Sequence, residues 1–470
     1  MAGNYHIVLL PWLAFGHMLP FLELAKRLAA KGIHVSFIST HRNIKRLPPI
    51  SPNLESRLSF VKIPLPQVEG LQESKEATID LPVEQVPFLK MAYDGLKPAV
   101  EKLLEETLPD LIICDFVSFW VPEIAAKYGV LSAYFSVFSA ATLAFGGPPA
   151  ELKTGSKRRQ PEDLMVSPDW FSFPSTVAHQ GDRARKIHAS LNVPDESGMS
   201  SGQRMAETIE GCDFITLRSC REFEGEYIGV LEKLYRKPVL PVGLLPPPTE
   251  RLSKNDTERD AEIWSNTLDW LDRKTLKSVV FVGFGSEYKI TRDQVNELAF
   301  GLELSELPFI WVLGMPLGVE DGLDILPQGF RTRVANRGMV CLGWAPQLEI
   351  LAHPAIGGCL FHSGWGSILE SLHHGHALIL LPMIADQGLN SRLLVDKGVA
   401  LEVERGEDGV SFTRQEIAKS MRHVMVDPAG EPLRQKAHQM RAIVANQELH
   451  ESYIHQFLQH VMNPRERGIS

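Results

Sequence analysis

The 470-residue sequence lacks paired cysteines, long apolar runs and an excess of basic charge, and each absence excludes a class of protein. Its five cysteines are scattered without a CxxC pair, which argues against a disulfide framework or a zinc site and favours reduced thiols. No apolar stretch approaches the roughly 18 residues that a membrane span needs. The formal net charge of -9 argues against nucleic-acid binding and against attachment to anionic membranes.

The first residues, MAGNYHIVLLPW, have neither a basic segment nor a small-residue cleavage site, so no secretory signal is predicted. A cytoplasmic location is therefore expected, and the chain is expected to act as a monomer. The composition, with 44% hydrophobic and 22% charged residues, is typical of globular proteins. The length is enough for two or three domains of ordinary size.

Short apolar runs alternate with helical patterns through the first half of the chain, which is typical of parallel sheets covered by helices. A loop over Leu13–His17 precedes a helix that Pro20 is predicted to open. Phe214–Leu217 is predicted as the last strand of this half. The other predicted strands are His6–Trp12, Val35–Ser39, Asp110–Cys114 and Leu131–Phe135.

Three prolines at 246–248 and the charged stretch Thr249–Asp260 predict a linker over 246–260, after which the alternation restarts. We predict an N-terminal domain at 1–245, a C-terminal domain at 261–444, and a final helix within 445–470 that packs back on the N-terminal domain. The fold class is α/β, with two Rossmann-like doubly wound domains facing each other across a cleft. The predicted elements of the second half are strands at Ser278–Phe284, Phe309–Leu313, Met339–Leu342, Gly357–Phe361 and Ala377–Leu381, and a helix at Asp293–Leu302.

The most informative stretch spans 344–387 and reads WAPQLEILAHPAIGGCLFHSGWGSILESLHHGHALILLPMIADQ. A predicted strand ends at Phe361 and turns through HSGWGS into a helix, whose start presents unpaired N–H donors and suits a diphosphate. His362 and Ser367 add side-chain donors, and Glu370 suits ribose hydroxyls. Alternatively, Ser367 and Glu370 form a capping box that needs no ligand, and Trp344 belongs to the core.

The whole stretch resembles the signature of the plant family-1 UDP-glycosyltransferases, which begins WAPQ, contains HCGWNS and ends in (D/E)Q. The resemblance implies the two-domain GT-B fold, UDP-glucose as the donor because a terminal Gln usually accompanies glucose, and no metal. Upstream, FGSE resembles the family segment in which Ser286 touches the phosphates. The resemblance assigns further residues to the UDP-sugar: Trp344 to uracil, Gln347 and Glu370 to the ribose, and His362, Gly366 and Ser367 to the diphosphate. It assigns Trp365, Asp386 and Gln387 to the sugar. Ser286 and Ala345 complete the predicted UDP-sugar site.

The signature departs from the family pattern at two positions: Ser363 stands for Cys and Gly366 for Asn. The missing Asn side chain removes one polar contact near the diphosphate or the sugar, a loss of about 1 kcal/mol. Transfer from UDP-rhamnose or UDP-xylose therefore stays open as an alternative.

A base and its partner are predicted at the carboxyl edge of the first sheet. His17 follows the first predicted strand and Asp115 follows another, so an imidazole that takes a proton and a carboxylate that holds the imidazolium lie near one cleft. Alternatively, His17 is bonded to backbone at a helix start and Asp115 is an N-cap. The segments GHMLP and PDLIICD resemble those that carry the family's catalytic His and Asp, which implies single-displacement inversion to a β-glucoside.

The acceptor is expected in the N-terminal half, where six aromatic residues either line an apolar pocket or pack in the core. The stretches PWLAFGHMLPFLELAK, FISTHRNIKRLPP and RSCREFEGEY resemble the plant branch that adds a sugar to flavonoid or terpenoid glycosides, which implies a 1→2 linkage. An aglycone acceptor, a non-catalytic nucleotide-sugar binder, and a UDP-sugar epimerase or hydrolase are the alternatives. The six aromatic residues are Trp12, Phe15, Phe88, Phe116, Phe138 and Phe145.

Overall fold

The computed structural model describes residues 5–246, 258–285, 287–314, 325–343 and 345–463, with the side chains of 258–263 left out. Within these ranges the chain forms two parallel sheets, each flanked by helices. The predicted α/β fold class with two doubly wound units is confirmed. Most of the predicted linker lies outside the described residues, and α11 begins at Glu258.

The first sheet has seven parallel strands within the described residues, in the order β3-β2-β1-β4-β5-β6-β7. Its strands are β1 His6–Leu10, β2 His34–Ser39, β3 Leu58–Lys62, β4 Leu111–Cys114, β5 Leu131–Ser136, β6 Phe214–Leu217 and β7 Val239–Pro241. Its α-helices are α1 Phe15–Ala30, α2 His41–Arg46, α3 Val86–Asp94, α4 Lys97–Thr107, α5 Val121–Lys127, α6 Ala140–Gly146, α7 Pro149–Thr154, α8 Gly181–Asn192, α9 Ser201–Gly211 and α10 Arg221–Tyr235.

The second sheet has six parallel strands within the described residues, in the order β10-β9-β8-β11-β12-β13. Its strands are β8 Val279–Gly283, β9 Phe309–Leu313, β10 Gly338–Leu342, β11 Ile356–Phe361, β12 Ala377–Leu380 and β13 Ala400–Glu402. The α-helices from here to the end are α11 Glu258–Asp272, α12 Arg292–Ser305, α13 Phe330–Val334, α14 Gln347–Ala352, α15 Trp365–His373, α16 Gln387–Asp396, α17 Arg414–Met425, α18 Glu431–Val444 and α19 Gln447–Met462.

The sequence patterns found the central strands and missed edge strands. All four residues of β4 are fully buried, and such a continuous apolar run is easily recognised. The prediction that Phe214–Leu217 is the last strand of its half is wrong, because β7 pairs with it in parallel through Ile215 and Val239. Strands β3 and β13 were missed as well. Each of these three lies at a sheet edge, where a short or half-exposed strand leaves a weak apolar signal.

The prediction that Pro20 opens the first helix is also wrong, since α1 begins at Phe15 and contains Pro20. A proline inside a helix leaves the carbonyl four residues earlier without its usual donor. Here that carbonyl belongs to Gly16, which is exposed, while Pro20 and Phe21 are buried against the sheet. Burial therefore compensates for the missing hydrogen bond, and His17 lies in the first helical turn instead of in a loop.

The last helix, α19, packs against the first sheet. Its buried face includes Ile454, Phe457 and Val461, which join the cluster that fills the space between α1 and the strands. The rings of Phe457 and Phe214 have centroids 6.3 Å apart, and the Tyr5 hydroxyl donates to the Val461 carbonyl at 2.7 Å. The chain thus returns from the second sheet to the first. Among the described residues, no helix has the length and apolar character required to cross a bilayer.

Replacement of Phe457 by alanine tests the contribution of α19. Phe457 is 1% exposed, so Phe457→Ala leaves a cavity and should lower the free energy of unfolding by about 3 to 4 kcal/mol. Urea denaturation followed by circular dichroism measures the change. The exposed Gln456 of the same helix provides the control, because Gln456→Ala should change stability by less than about 0.5 kcal/mol. Equal effects of the two substitutions would contradict this role of the helix.

Candidate active site

The site forms where the carboxyl ends of parallel strands meet. In the first sheet the strand order reverses between β1 and β4, and in the second between β8 and β11. Chain segments leaving the two strands of such a pair diverge and open a crevice. His17 follows β1 and Asp115 follows β4, while His362 follows β11. The topology therefore brings residues far apart in sequence to two crevices.

His17 and Asp115 form a hydrogen-bonded pair, with 2.8 Å between Nδ1 of the imidazole and Oδ2 of the carboxylate. Asp115 is fully buried and also accepts from the backbone N–H of Trp12 at 3.0 Å and of Phe116 at 2.8 Å. The N-cap of the next helix, α5, is Trp120, so the alternative of a capping Asp115 does not hold. Three donors fix this carboxylate in one orientation.

The charges around His17 favour its protonated form. Burial lowers the pKa of His17, but the Asp115 carboxylate raises it through its charge and its hydrogen bond, and Asp386 and Glu287 raise it further. The net pKa lies above the ordinary value of 6.5. Because a carboxylate only accepts, Nδ1 carries the hydrogen of this bond and leaves Nε2 as the atom that takes up a proton.

Within the described ranges, the start of helix α15 presents backbone N–H donors that have no hydrogen-bond partner. Gly364 is its N-cap, and Ile368 makes the first bond, donating to the Gly364 carbonyl at 3.0 Å. The N–H groups of Trp365, Gly366 and Ser367 therefore precede the first intrahelical hydrogen bond. Ser367 is the third residue of the helix, so the capping box with Glu370 does not form. Donors and helix dipole together favour an anion at this point.

His362 lies between two glycines that leave room for its ring. A Cβ on Gly364 would come within 2.7 Å of Nε2, and one on Gly285 within 3.0 Å of Cε1. Burial lowers the pKa of His362 to about 4, so the imidazole is neutral near pH 7 and offers one N–H as a donor. The turn continues through Ser363, whose φ of 64° lies in the left-handed region.

Glu370 and Gln347 meet beside α15. The Gln347 Nε2 amide donates to Oε2 of Glu370 at 2.7 Å, and Ala345 is half-buried two residues before Gln347. Burial raises the pKa of Glu370, although the bond from Gln347 and the charge of Arg218 lower it. The predicted uracil and phosphate contacts, Trp344 and Ser286, lie outside the described residues.

Asp386 and Gln387 are held by bonds that sequence reasoning missed. The Gln387 Oε1 atom accepts from the backbone N–H of Met383 at 2.8 Å and of Ile384 at 2.9 Å, which folds the loop back on its helix. The Asn390 Nδ2 amide donates to Oδ2 of Asp386 at 2.7 Å. Residues four apart on a helix share a face, and that spacing was the available signal for Asn390.

Asn390 also links the two halves of the chain. It is fully buried on α16, and its Oδ1 accepts from the hydroxyls of Ser139 at 2.7 Å and Thr142 at 3.2 Å. Its amide also donates to the Ser363 carbonyl at 3.2 Å. One side chain thus connects the first half, the turn before α15 and the carboxylate of Asp386.

Trp365 faces the first half of the chain. Its indole N–H donates to the Arg218 carbonyl at 3.2 Å, and its ring packs edge-on against Phe223 with centroids 5.8 Å apart. The indole donor is therefore already bonded, and the backbone N–H of Trp365 is the group that remains for a ligand.

Two of the six aromatic residues predicted for an acceptor pocket flank the base. The rings of Phe116 and Phe138 have centroids 5.7 and 5.4 Å from that of His17, and both residues are half-buried. The rings of the remaining four make other contacts. Trp12 packs on Tyr93 in the core, Phe145 is buried against His179, Phe15 lies under Arg46, and Phe88 contacts Gly70.

The histidines that follow α15 pack against one another. The rings of His374 and His376 stack with centroids 5.6 Å apart, and His376 Nε2 contacts the Leu351 carbonyl at 2.8 Å. Burial and the neighbouring histidines lower the pKa of His374 to about 3. In the described part of the chain, no group of three or more His, Cys, Asp or Glu side chains is arranged to hold a metal. Metal independence of the reaction stays a prediction.

The influence of Asp115 on His17 can be measured directly. In Asp115→Asn the charge is lost while the shape is kept, so the pKa of His17 should fall, since burial lowers it and the largest opposing charge is gone. An NMR titration of the imidazole signals measures it. Asp272→Asn, beside the distant His353, is the control and should leave His17 unchanged. An unchanged His17 pKa in Asp115→Asn would contradict the coupling.

The same coupling predicts a pH dependence of stability. A pKa that is raised in the folded state means that His17 binds its proton more strongly when the protein is folded. The resulting contribution to the free energy of unfolding is fully present below pH 6.5. It is lost as the pH rises through the folded-state pKa. Asp115→Asn should therefore lower the free energy of unfolding more at acidic than at alkaline pH.

Comparison with known proteins identifies the relatives of the chain. Residues 265–433 match the profile of the family described as UDP-glucoronosyl and UDP-glucosyl transferase. UDP-glycosyltransferase 91C1 of Arabidopsis thaliana is 43% identical over 96% of this chain and 95% of the relative. Soyasaponin III rhamnosyltransferase of Glycine max is 40% identical over 96% of this chain and 94% of the relative.

Solved structures share the fold. UGT73P12 of Glycyrrhiza uralensis, crystallised with glycyrrhetinic acid 3-O-monoglucuronide, superposes with a TM-score of 0.78 at 24% identity, covering 97% of this chain and 96% of the other. A transferase from Siraitia grosvenorii in complex with UDP gives a TM-score of 0.75 at 24% identity, covering 98% of this chain and 100% of the other. The identity of 40% and 43% to these sequence relatives over 96% of the chain shows that this chain belongs to the UDP-glycosyltransferase family.

Proposed function

We propose that the chain transfers glucose from UDP-glucose to a hydroxyl of a sugar already attached to a small plant metabolite, forming a 1→2 linkage. The observation that supports this proposal is the hydrogen bond of 2.8 Å between His17 and Asp115. The charge of Asp386, in the half proposed to bind the donor, also raises the pKa of the imidazole. This charge effect supports a mechanism in which a base and a sugar-binding carboxylate act at the same site.

The geometry supports a single displacement with inversion. His17 Nε2 takes the proton of the acceptor hydroxyl while the oxygen attacks C1 of the donor sugar. As the new C1–O bond forms, the bond between C1 and the phosphate oxygen breaks, and UDP leaves with the electron pair. Asp115 stabilises the resulting imidazolium through Nδ1, and the helix start of α15 stabilises the negative charge of the diphosphate.

Glucose is the favoured donor because Asp386 and Gln387 end the signature, and Gln usually accompanies glucose in the family that the signature resembles. The carboxylate of Asp386 is oriented by Asn390, which suits hydrogen bonding to vicinal sugar hydroxyls. Gly366 leaves the donor choice more open, and a relative at 40% identity is named as a rhamnosyltransferase. Rhamnose is therefore the second candidate.

A glycoside acceptor is favoured by the relatives and by the surroundings of the base. Soyasaponin III rhamnosyltransferase is named for a saponin, and saponins carry sugars already. Around His17 the half-buried rings of Phe116 and Phe138 provide apolar surface, while Glu287 and Asp386 provide carboxylates that suit sugar hydroxyls. An aglycone alone would offer fewer hydroxyl donors to these carboxylates.

A mass-spectrometric screen tests donor and acceptor together. UDP-glucose, UDP-rhamnose and UDP-xylose are each offered with flavonoid or terpenoid aglycones and with their monoglucosides. We expect fastest transfer of glucose to the monoglucosides, and a β-configured product by NMR. Faster turnover of aglycones would contradict the glycoside proposal, and release of UDP without an acceptor would favour a hydrolase.

His17→Ala is the matching test of the base. Loss of a general base should lower kcat roughly 100- to 10,000-fold while UDP binding is nearly unchanged. The exposed His41, at the first position of α2, gives the control His41→Ala, which should keep full activity. A fully active His17→Ala would overturn the assignment of the base.

The raised pKa of His17 also predicts the pH profile of the reaction. Only the neutral imidazole accepts a proton, so kcat/KM should rise with pH through a midpoint above 6.5. In Asp115→Asn that midpoint should move to lower pH while the plateau falls. A rise with the same midpoint in both proteins would show that another group titrates.

A further inference from the structure

Arg218 is a buried cation that the proposed reaction has not yet used. It follows β6 and opens the stretch RSCREFEGEY, and it is 7% exposed. Its Nε donates to the Leu244 carbonyl at 3.0 Å and its Nη2 to the Leu245 carbonyl at 3.2 Å. In the described part of the chain, no hydrogen bond or ion pair engages Nη1. Two carbonyls thus fix the guanidinium plane and leave one nitrogen available.

That nitrogen points toward the start of α15 in the other half. A Cβ on Gly366 would lie 3.8 Å from Nη1, the one atom within 4 Å of that position among the described residues once the chain neighbours and backbone of the same helix are set aside. The Arg218 carbonyl accepts the indole N–H of Trp365, so backbone and side chain of this residue both adjoin the helix start. Gly366 and Glu370 are four residues apart on one face of α15, and the charge of Glu370 acts on Arg218.

The surroundings of Arg218 suit an anion. Burial lowers the pKa of Arg218 to about 10, which leaves the guanidinium charged near pH 7. The one carboxylate on α15 that acts on it, Glu370, is bonded to Gln347 instead. A buried guanidinium beside free N–H groups at a helix start recognises phosphate oxygens well, because both carry positive potential and directed donors.

We propose that Arg218 binds the diphosphate of the UDP-sugar from the N-terminal half, in the space where the family signature carries an asparagine and this chain has Gly366. The inference rests on the proposed function, since it requires a UDP-sugar at α15. A Cβ at 366 would be in ordinary contact with Nη1, at 3.8 Å, so a side chain at this position and the guanidinium would be direct neighbours. The diphosphate would then be held by donors of both halves, and donor binding would draw the two halves together.

Calorimetric titration with UDP and with uridine separates this role from a purely structural one. Arg218→Gln should weaken UDP binding roughly 10- to 100-fold, the expected loss for a charge-assisted hydrogen bond, while uridine binding is unchanged because uridine has no phosphate. Arg218→Lys, which keeps the charge, should lose less. Arg221→Gln, on the exposed start of α10, removes an arginine from the same stretch and should bind UDP like the wild type.

The double variant Arg218→Gln with Gly366→Asn gives an independent readout. If the two positions share one space, asparagine should restore part of the UDP affinity that Arg218→Gln loses. Unchanged UDP affinity in Arg218→Gln would overturn the inference, and so would equal losses for UDP and uridine, which would assign Arg218 to holding the chain at Leu244 and Leu245 alone. Failure of the wild type to bind UDP would instead contradict the proposed function.

Discussion

The carboxylate of Asp115 is fully buried, and a buried charge is stable only when its oxygens are hydrogen-bonded. Its donors come from three places: the backbone after β1, the backbone of the next residue, and the imidazole on α1. These groups meet only because β1 and β4 are neighbours in the sheet. The position of His17, the proposed base, follows from satisfying this one charge.

A buried polar side chain with hydrogen-bonded atoms also connects the two halves of the chain. Asn390 uses both ends of its buried amide, accepting from Ser139 in the first half and donating to Asp386 and the Ser363 carbonyl in the second. Buried polar groups that depend on one another in this way allow few alternative arrangements. The orientation of the segment that carries Asp386 is therefore tied to the half of the protein that carries His17.

The pKa of His17 depends on the tertiary arrangement of the charges around it. Burial acts against the protonated imidazole here as it does at His362, whose pKa is lowered to about 4. At His17 the carboxylates of Asp115, Asp386 and Glu287 outweigh burial and raise the pKa. One imidazole is thus favoured in its protonated form by its charged neighbours, while the other is neutral near pH 7. These opposite behaviours suit the proposed roles in proton transfer and in diphosphate binding.

The sequence by itself determined the α/β class, the central strands and the segment 344–387, because continuous apolar runs and a glycine-rich turn before a helix are local signals. It also placed His17 and Asp115 at the same sheet edge. Packing determined the edge strands β3, β7 and β13 and the start of α1, because it compensates for weak or opposing local preferences of the sequence. Only the tertiary structure revealed the contacts that Asn390 and Arg218 make between the two halves. The partners of Asn390 in the first half lie 248 and 251 residues away, and the Arg218 carbonyl lies 147 residues from its donor, Trp365. Hydrogen bonds of that range leave no periodic trace in a sequence, because they depend on which strand ends become neighbours.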